Sequence, residues 1–215
     1  MAIETPARII LLPGAFEVAD DLRAAGFAEA RAARHARVEL EFAELEIRSI
    51  TDRSMLERLR AGPLEAARRA GCSPVWLAGV SLGGFMAIAL AERFPGAVDG
   101  LCLIAPYLGT RLTSAAIARA GGLEHWSPPA DSADDEDLRA WQFLKSAARR
   151  PAIHLGFGRD DRFADSQRLL AAALPAAAVD VVEGGHDRAT WRAIWDRFLD
   201  RFATLAPARA AGSAA

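Results

Sequence analysis

Asparagine is absent from this 215-residue chain, lysine occurs once, at Lys145, and cysteine twice, at Cys72 and Cys102. Two cysteines are too few for a disulfide framework or a cysteine-rich metal site. Cys102 moreover lies in the apolar run LCLIAP, where a thiol behaves as a small hydrophobe. Arginine supplies nearly all the positive charge, spread along the chain, and the formal net charge is −2. That balance lacks the basic footprint of a nucleic-acid-binding protein. Long apolar runs are also lacking: none approaches the ~20 residues that span a bilayer. The N-terminal MAIETPARIILLPG carries Glu4 and only a short apolar stretch, unlike a secretory leader. A cytoplasmic protein with no nucleic-acid and no membrane partner is expected. The missing asparagine and the abundant alanine read as compositional bias.

What is present is apolar. Hydrophobic residues make up 52% of the chain, too many for disorder and enough for a well-buried core. The length suits one domain. Continuous apolar runs at 8–12 (RIILL) and 75–80 (VWLAGV) read as buried parallel strands, and 101–106 (LCLIAP), 152–158 (AIHLGFG) and 178–184 (AVDVVEG) are three more strand candidates. A further, half-buried strand is expected at 38–43, or just after it in 44–50. Helical patterns fill 54–70, interrupted by Gly62-Pro63, and 83–94, stopped by Pro95-Gly96. Trp191, Ile194, Trp195, Phe198, Leu199 and Phe202 recur at helical spacing and form one apolar stripe, expected to pack on the sheet. Alternating strands and helices predict a doubly wound, mainly parallel α/β sheet. The long stretch 107–150 holds no strand pattern. Helices are expected there at 111–120 and 134–148, the second opened by acids that complement its dipole. After Leu205 the tail 206–215 has no periodicity and is expected to be disordered.

The sharpest chemical signal is Gly79-Val80-Ser81-Leu82-Gly83-Gly84, a G-x-S-x-G motif directly after a strand and directly before a helix. In that context the serine sits on a strained turn above the carboxyl edge of the sheet, and the glycines let strand and helix approach closely. The N–H of Leu82 then faces the reacting carbonyl. A phosphate-binding loop is disfavoured because no lysine follows. A serine hydroxyl needs an adjacent base. Of four histidines, His35 lies in a polar, arginine-rich stretch and reads as solvated. His154 sits within a strand and reads as buried with its hydrogen bonds satisfied, and His125 has no supporting context. His186 follows a strand in a Gly-Gly-His-Asp turn before the last helix, so it can reach a neighbouring elbow. The base needs a carboxylate to hold its tautomer, and either Asp160 or Asp161, in the loop after AIHLGFG, could supply it.

With these motifs the chain resembles the α/β-hydrolase superfamily over residues ~8 to ~203. GVSLGG resembles its nucleophile elbow, GFGRDDRF its acid loop, and GGHD followed by Trp191 the histidine loop and closing helix of its esterase-like members. The resemblance implies Asp161 as the acid, with Asp160 in reserve. LLPGAF resembles the oxyanion loop, with Pro13 where the family usually has histidine. It implies oxyanion donors at the Leu82 N–H and at the Ala15 or Phe16 N–H. The chain begins almost at the strand bearing that loop, so the family's first antiparallel strands are expected to be missing, leaving about six strands in the order 2-1-3-4-5-6. The segment 107–150 stands where the family carries its cap, and its shortness implies a rather open site. Tyr107, Leu108, Trp126 and Phe16 are candidate walls of a substrate pocket. The resulting expectation is a cofactor-free, metal-free serine hydrolase acting on a small or medium ester. A thioesterase or acyltransferase would use the same residues, and a lyase or a binding protein could use the same scaffold. No basic cluster is visible that would hold an acyl-carrier or coenzyme phosphate, which favours a simple carboxylesterase.

Overall fold

The computed structural model describes residues 6–35, 38–46, 54–130, 132, 134–148 and 150–205. The elements follow in chain order: β1 (Arg8–Leu12), α1 (Ala19–Ala24), α2 (Phe27–Arg34), β2 (Glu39–Phe42), α3 (Met55–Leu59), α4 (Glu65–Arg69), β3 (Val75–Val80), α5 (Leu82–Arg93), β4 (Gly100–Ile104), α6 (Arg111–Arg119), α7 (Glu136–Lys145), β5 (Ala152–Gly158), α8 (Ala164–Ala172), β6 (Val179–Val182) and α9 (Arg188–Leu205). The six strands form one parallel sheet in the order β2-β1-β3-β4-β5-β6. This is the doubly wound architecture expected from the sequence.

The strand sequences dictate the two layers. Successive residues point to opposite faces, and in the central strands both faces are apolar. Ile10, Leu12, Leu77, Leu101, Leu103, Leu155 and Phe157 pack with Met55, Leu59, Phe85, Ile88, Leu90 and Leu170 on one side. Ile9, Leu11, Trp76, Ala78, Cys102 and Ile104 pack with Leu22, Phe27 and the stripe Trp191–Phe202 on the other. Every residue of β3 is buried. Burial pushes the Cys102 thiol well above its ordinary pKa, in keeping with a hydrophobic role.

Three local features depart from the sequence reading. Gly62-Pro63 does not interrupt the helical path: α3 runs into a π-turn at Arg60–Leu64 and on into α4. The wider turn accommodates the missing proline N–H. The helices α1 and α2 lie in a stretch where no helix was expected, because so few apolar residues there (Ala19, Leu22, Phe27, Ala30) are buried. The segment 107–150 is less a cap than part of the core layer: Leu108, Ile117, Leu123, Trp126, Trp141 and Leu144 belong to the same apolar cluster as α5. The alternative strand position in 44–50 lies largely outside the described residues, and the tail 206–215 wholly so. Among the described residues no helix is long and apolar enough to cross a membrane.

Candidate active site

The chain order of the sheet brings the ends of β1 and β3 together. β1 and β3 are neighbours, but the chain leaves β1 for β2 on one side and returns to β3 on the other. In open α/β sheets such a switch point opens a crevice at the carboxyl ends. Ser81 follows β3 directly, and the loop from Pro13 follows β1.

Ser81 has φ 51° and ψ −112°, a left-handed backbone that a side-chain-bearing residue rarely adopts. The surroundings over-determine it. Its N–H donates to the Ile104 carbonyl (2.9 Å), and its own carbonyl accepts the N–H groups of Gly84 (3.1 Å) and Tyr107 (3.0 Å). The motif glycines are required sterically. A Cβ on Gly79 would lie 2.2 Å from the carbonyl carbon of Gly83, and one on Gly83 would lie 2.4 Å from the Pro13 carbonyl oxygen. Strand, helix and the loop after β1 therefore meet backbone to backbone around Ser81.

His186 and Asp161 complete a hydrogen-bonded chain. His186 Nε2 lies 3.0 Å from Ser81 Oγ, and His186 Nδ1 lies 2.8 Å from Asp161 Oδ2. The carboxylate accepts, so Nδ1 bears the hydrogen and Nε2 is free to accept from the serine hydroxyl. The second Asp161 oxygen accepts the Phe163 N–H (2.8 Å). The Asp161 side chain is fully buried, and Ser81 retains 8% exposure. The imidazole is held edge-to-face by Phe163 (centroids 5.0 Å apart) and Trp191 (5.2 Å). Asp160, the reserve candidate, is exposed, and its N–H donates to the Gly184 carbonyl (3.0 Å). That bond and Arg159 N–H to the Val182 carbonyl (2.8 Å) zip the acid loop to the histidine loop. A Cβ on Gly158 would come 2.3 Å from the Gly184 oxygen, so no larger residue permits this approach.

The other expected site residues fall into two groups. The turn Gly14–Glu17, closed by Glu17 N–H to the Gly14 carbonyl (3.4 Å), passes Ser81 at van der Waals range: a Cβ on Gly14 would lie 3.6 Å from Ser81 Cβ. Ala15 and Phe16 are in this turn, and Leu82 opens α5. The Phe16 ring itself is 91% exposed, so its side chain forms no buried wall. Tyr107 is half-buried and lines a cavity of about 720 Å³. Leu108 and Trp126 do not line it. Both are core residues whose carbonyls accept from Trp141 Nε1 (2.8 Å) and Lys145 Nζ (2.6 Å), and the apolar pull of α5 and α7 buries them. Phe163 was missed in the sequence reading, although its place two residues after Asp161 fixes it against His186.

The remaining histidines differ from expectation in two cases. His35 is not solvated: it is partly buried on the Phe202 ring, with Nε2 against the Leu199 carbonyl near the end of α9. His154 is buried as expected, but neither ring nitrogen has a hydrogen-bond partner. Desolvation by burial lowers its pKa to about 4, against the pull of Asp180, whose carboxylate lies 3.6 Å away. His125 is exposed beside Glu124. Among the described residues no group of three or more His, Cys, Asp or Glu stands together as a metal site.

No protein-family model matches this chain, and no curated protein is similar to it in sequence. Solved structures do match in shape. The chain is similar to the S-formylglutathione hydrolase FrmB of Staphylococcus aureus (TM-score 0.63, 15% identity, covering 93% of this chain and 82% of that one). It is also similar to Est1E of Butyrivibrio proteoclasticus (TM-score 0.61, 15% identity, 93% and 90% covered). A ferulic acid esterase matches comparably (TM-score 0.60, 15% identity, 94% and 86% covered). With its six parallel strands, elbow and closing helix, the chain has the α/β-hydrolase fold.

Proposed function

We propose that the protein is a serine hydrolase that cleaves a small or medium carboxylic ester through an acyl-enzyme on Ser81. The unbroken chain from Ser81 Oγ to His186 (3.0 Å) to Asp161 (2.8 Å) carries this reading, because both distances suit proton transfer in the resting geometry. In the first half-reaction His186 Nε2 takes the Ser81 proton as Oγ attacks the ester carbonyl. Asp161 keeps the reactive tautomer and stabilises the imidazolium. The developing oxyanion lies between the N–H of Leu82 and that of Ala15 or Phe16, where fixed donors act without reorganisation. His186 then protonates the departing alcohol oxygen, leaving the acyl group on Ser81. In the second half-reaction His186 removes a proton from water, the hydroxide oxygen attacks the acyl carbonyl, and the proton returns to Ser81 as the acid departs. Each step balances without a cofactor.

A p-nitrophenyl ester series from acetate to decanoate tests this, measured alongside Ser81→Ala. We expect hydrolysis well above background, falling by about 10⁴- to 10⁶-fold in the variant. We also expect a fluorophosphonate to label the wild type at Ser81. Absence of both hydrolysis and labelling would overturn the reading.

A further inference from the structure

The cavity beside Tyr107 has an unusual charge for a neutral-ester site. It lies between α6 and α8, and its floor is apolar: Tyr107, Phe163 and Leu169 line it. Its rim carries three arginines from three separate segments: Arg111 at the start of α6, Arg162 in the acid loop and Arg168 in α8. One carboxylate, Asp165, is among the lining residues, and Arg168 pairs with it at 3.2 Å. Arg168 also donates to the Arg159 carbonyl (2.8 Å). Among the described residues Arg111 and Arg162 have no carboxylate partner, and the Arg162 guanidinium lies 4.9 Å from the Phe163 ring centroid. Asp137, beside Gly109, is not part of the lining; it accepts the Thr110 N–H (3.0 Å), and burial pushes its pKa up.

The cavity and the reacting residues share a wall. Phe163 packs edge-on against His186 (5.0 Å) and, in turn, against Tyr107 (5.6 Å), whose N–H donates to the Ser81 carbonyl. The apolar stem of a molecule with its ester at Ser81 would have to cross the Phe163 and Tyr107 rings to enter this cavity. Guanidinium groups bind carboxylate and phosphate oxygens through paired N–H donors. We propose that the substrate of this site carries an anionic group, a carboxylate or a phosphate, separated by an apolar stem from its ester or thioester carbonyl, and that Arg111 and Arg162 hold that anion. This rests on the hydrolase reading for the reaction itself. It also replaces the expectation from sequence that no basic cluster exists: the arginines are scattered along the chain and converge only in the fold.

Matched substrate pairs test the proposal. The mono-p-nitrophenyl ester of glutaric acid is compared with p-nitrophenyl pentanoate, and S-acetyl-4′-phosphopantetheine with S-acetylpantetheine. We expect kcat/KM to favour the anionic member of at least one pair by about tenfold or more at low salt, a gain that shrinks as salt is added. The pair that shows it identifies carboxylate or phosphate as the anion. The double variant Arg111→Glu/Arg162→Glu should bring that ratio to one or below, an inversion that loss of folding cannot mimic. Ratios near one in wild type, with hydrolysis that still requires Ser81, would overturn the anion proposal and leave the hydrolase intact. If no ester or thioester is cleaved, titration calorimetry with glutarate and with 4′-phosphopantetheine decides separately: binding that the double variant loses supports the anion site, and no binding overturns it.

Discussion

Among the described residues two histidine–aspartate pairs are largely withdrawn from water, and they could hardly differ more. His186 and Asp161 sit on loops at the carboxyl edge of the sheet, 2.8 Å apart, with Ser81 at the imidazole's other nitrogen. His154 and Asp180 sit on adjacent strands, with Nε2 3.6 Å from Oδ2, and neither nitrogen of His154 is hydrogen-bonded. Asp180 is instead tied to Arg201 (2.8 Å). The same two residue types thus make a hydrogen-bonded chain to a serine in one place and a desolvated core residue in the other. What separates them is access: only loop residues beyond the strand ends can present an imidazole to both a carboxylate and an incoming molecule.

That contrast can be broken experimentally. The largest effect belongs to His186→Ala, which should lower ester hydrolysis by about 10⁴- to 10⁶-fold, while His154→Leu leaves it within about threefold. Steady-state kinetics on one p-nitrophenyl ester reads both; equal losses would show that position on the sheet does not separate the pairs. Next is the acid. Asp161→Asn should cost about 10⁴-fold in kcat by destabilising the reactive tautomer, against about twofold for Asp160→Asn.

The core pair is sharpened by stability rather than rate. Burial lowers the His154 pKa to about 4, so in the range between that value and the ordinary 6.5 the unfolded chain binds a proton that the folded chain refuses. Stability is therefore full above pH 6.5 and declines as the pH falls towards 4, by up to about 3 kcal/mol. Urea unfolding at pH 7 and pH 4.5 should show that decline in wild type and a smaller one in His154→Leu. The smallest effect is at Asp187, the neighbour of His186. It accepts the Thr190 N–H (2.9 Å) at the start of α9, and backbone hydrogen bonds hold its carboxyl below the usual range. Asp187→Ala should cost about 1 kcal/mol in the same unfolding measurement.

The fold and the Ser81–His186–Asp161 constellation were legible in the sequence for a common reason: both are written locally. RIILL and VWLAGV announce strands buried on both faces because no polar residue interrupts them, and the glycines around Ser81 and His186 mark places where backbone must touch backbone. Residues whose roles depend on distant neighbours were not legible. Leu108 and Trp126 were expected to line a pocket, but helix packing draws them into the core. His35, in a polar stretch, is partly buried by the far end of α9. Arg111 and Arg162 are unremarkable along the chain and meet only because α6 folds back beside the acid loop.

The backbone contact between Gly158 and Gly184 has an evolutionary consequence. The acid and histidine loops are fixed to each other through the main chain, with Arg168 of α8 also bracing the acid loop at the Arg159 carbonyl. The cavity-lining residues of α6 take no part in those backbone contacts, so they can be exchanged without changing how the two loops meet. Drift on that face of α6 can therefore reshape the cavity while the join between the two loops stays in place.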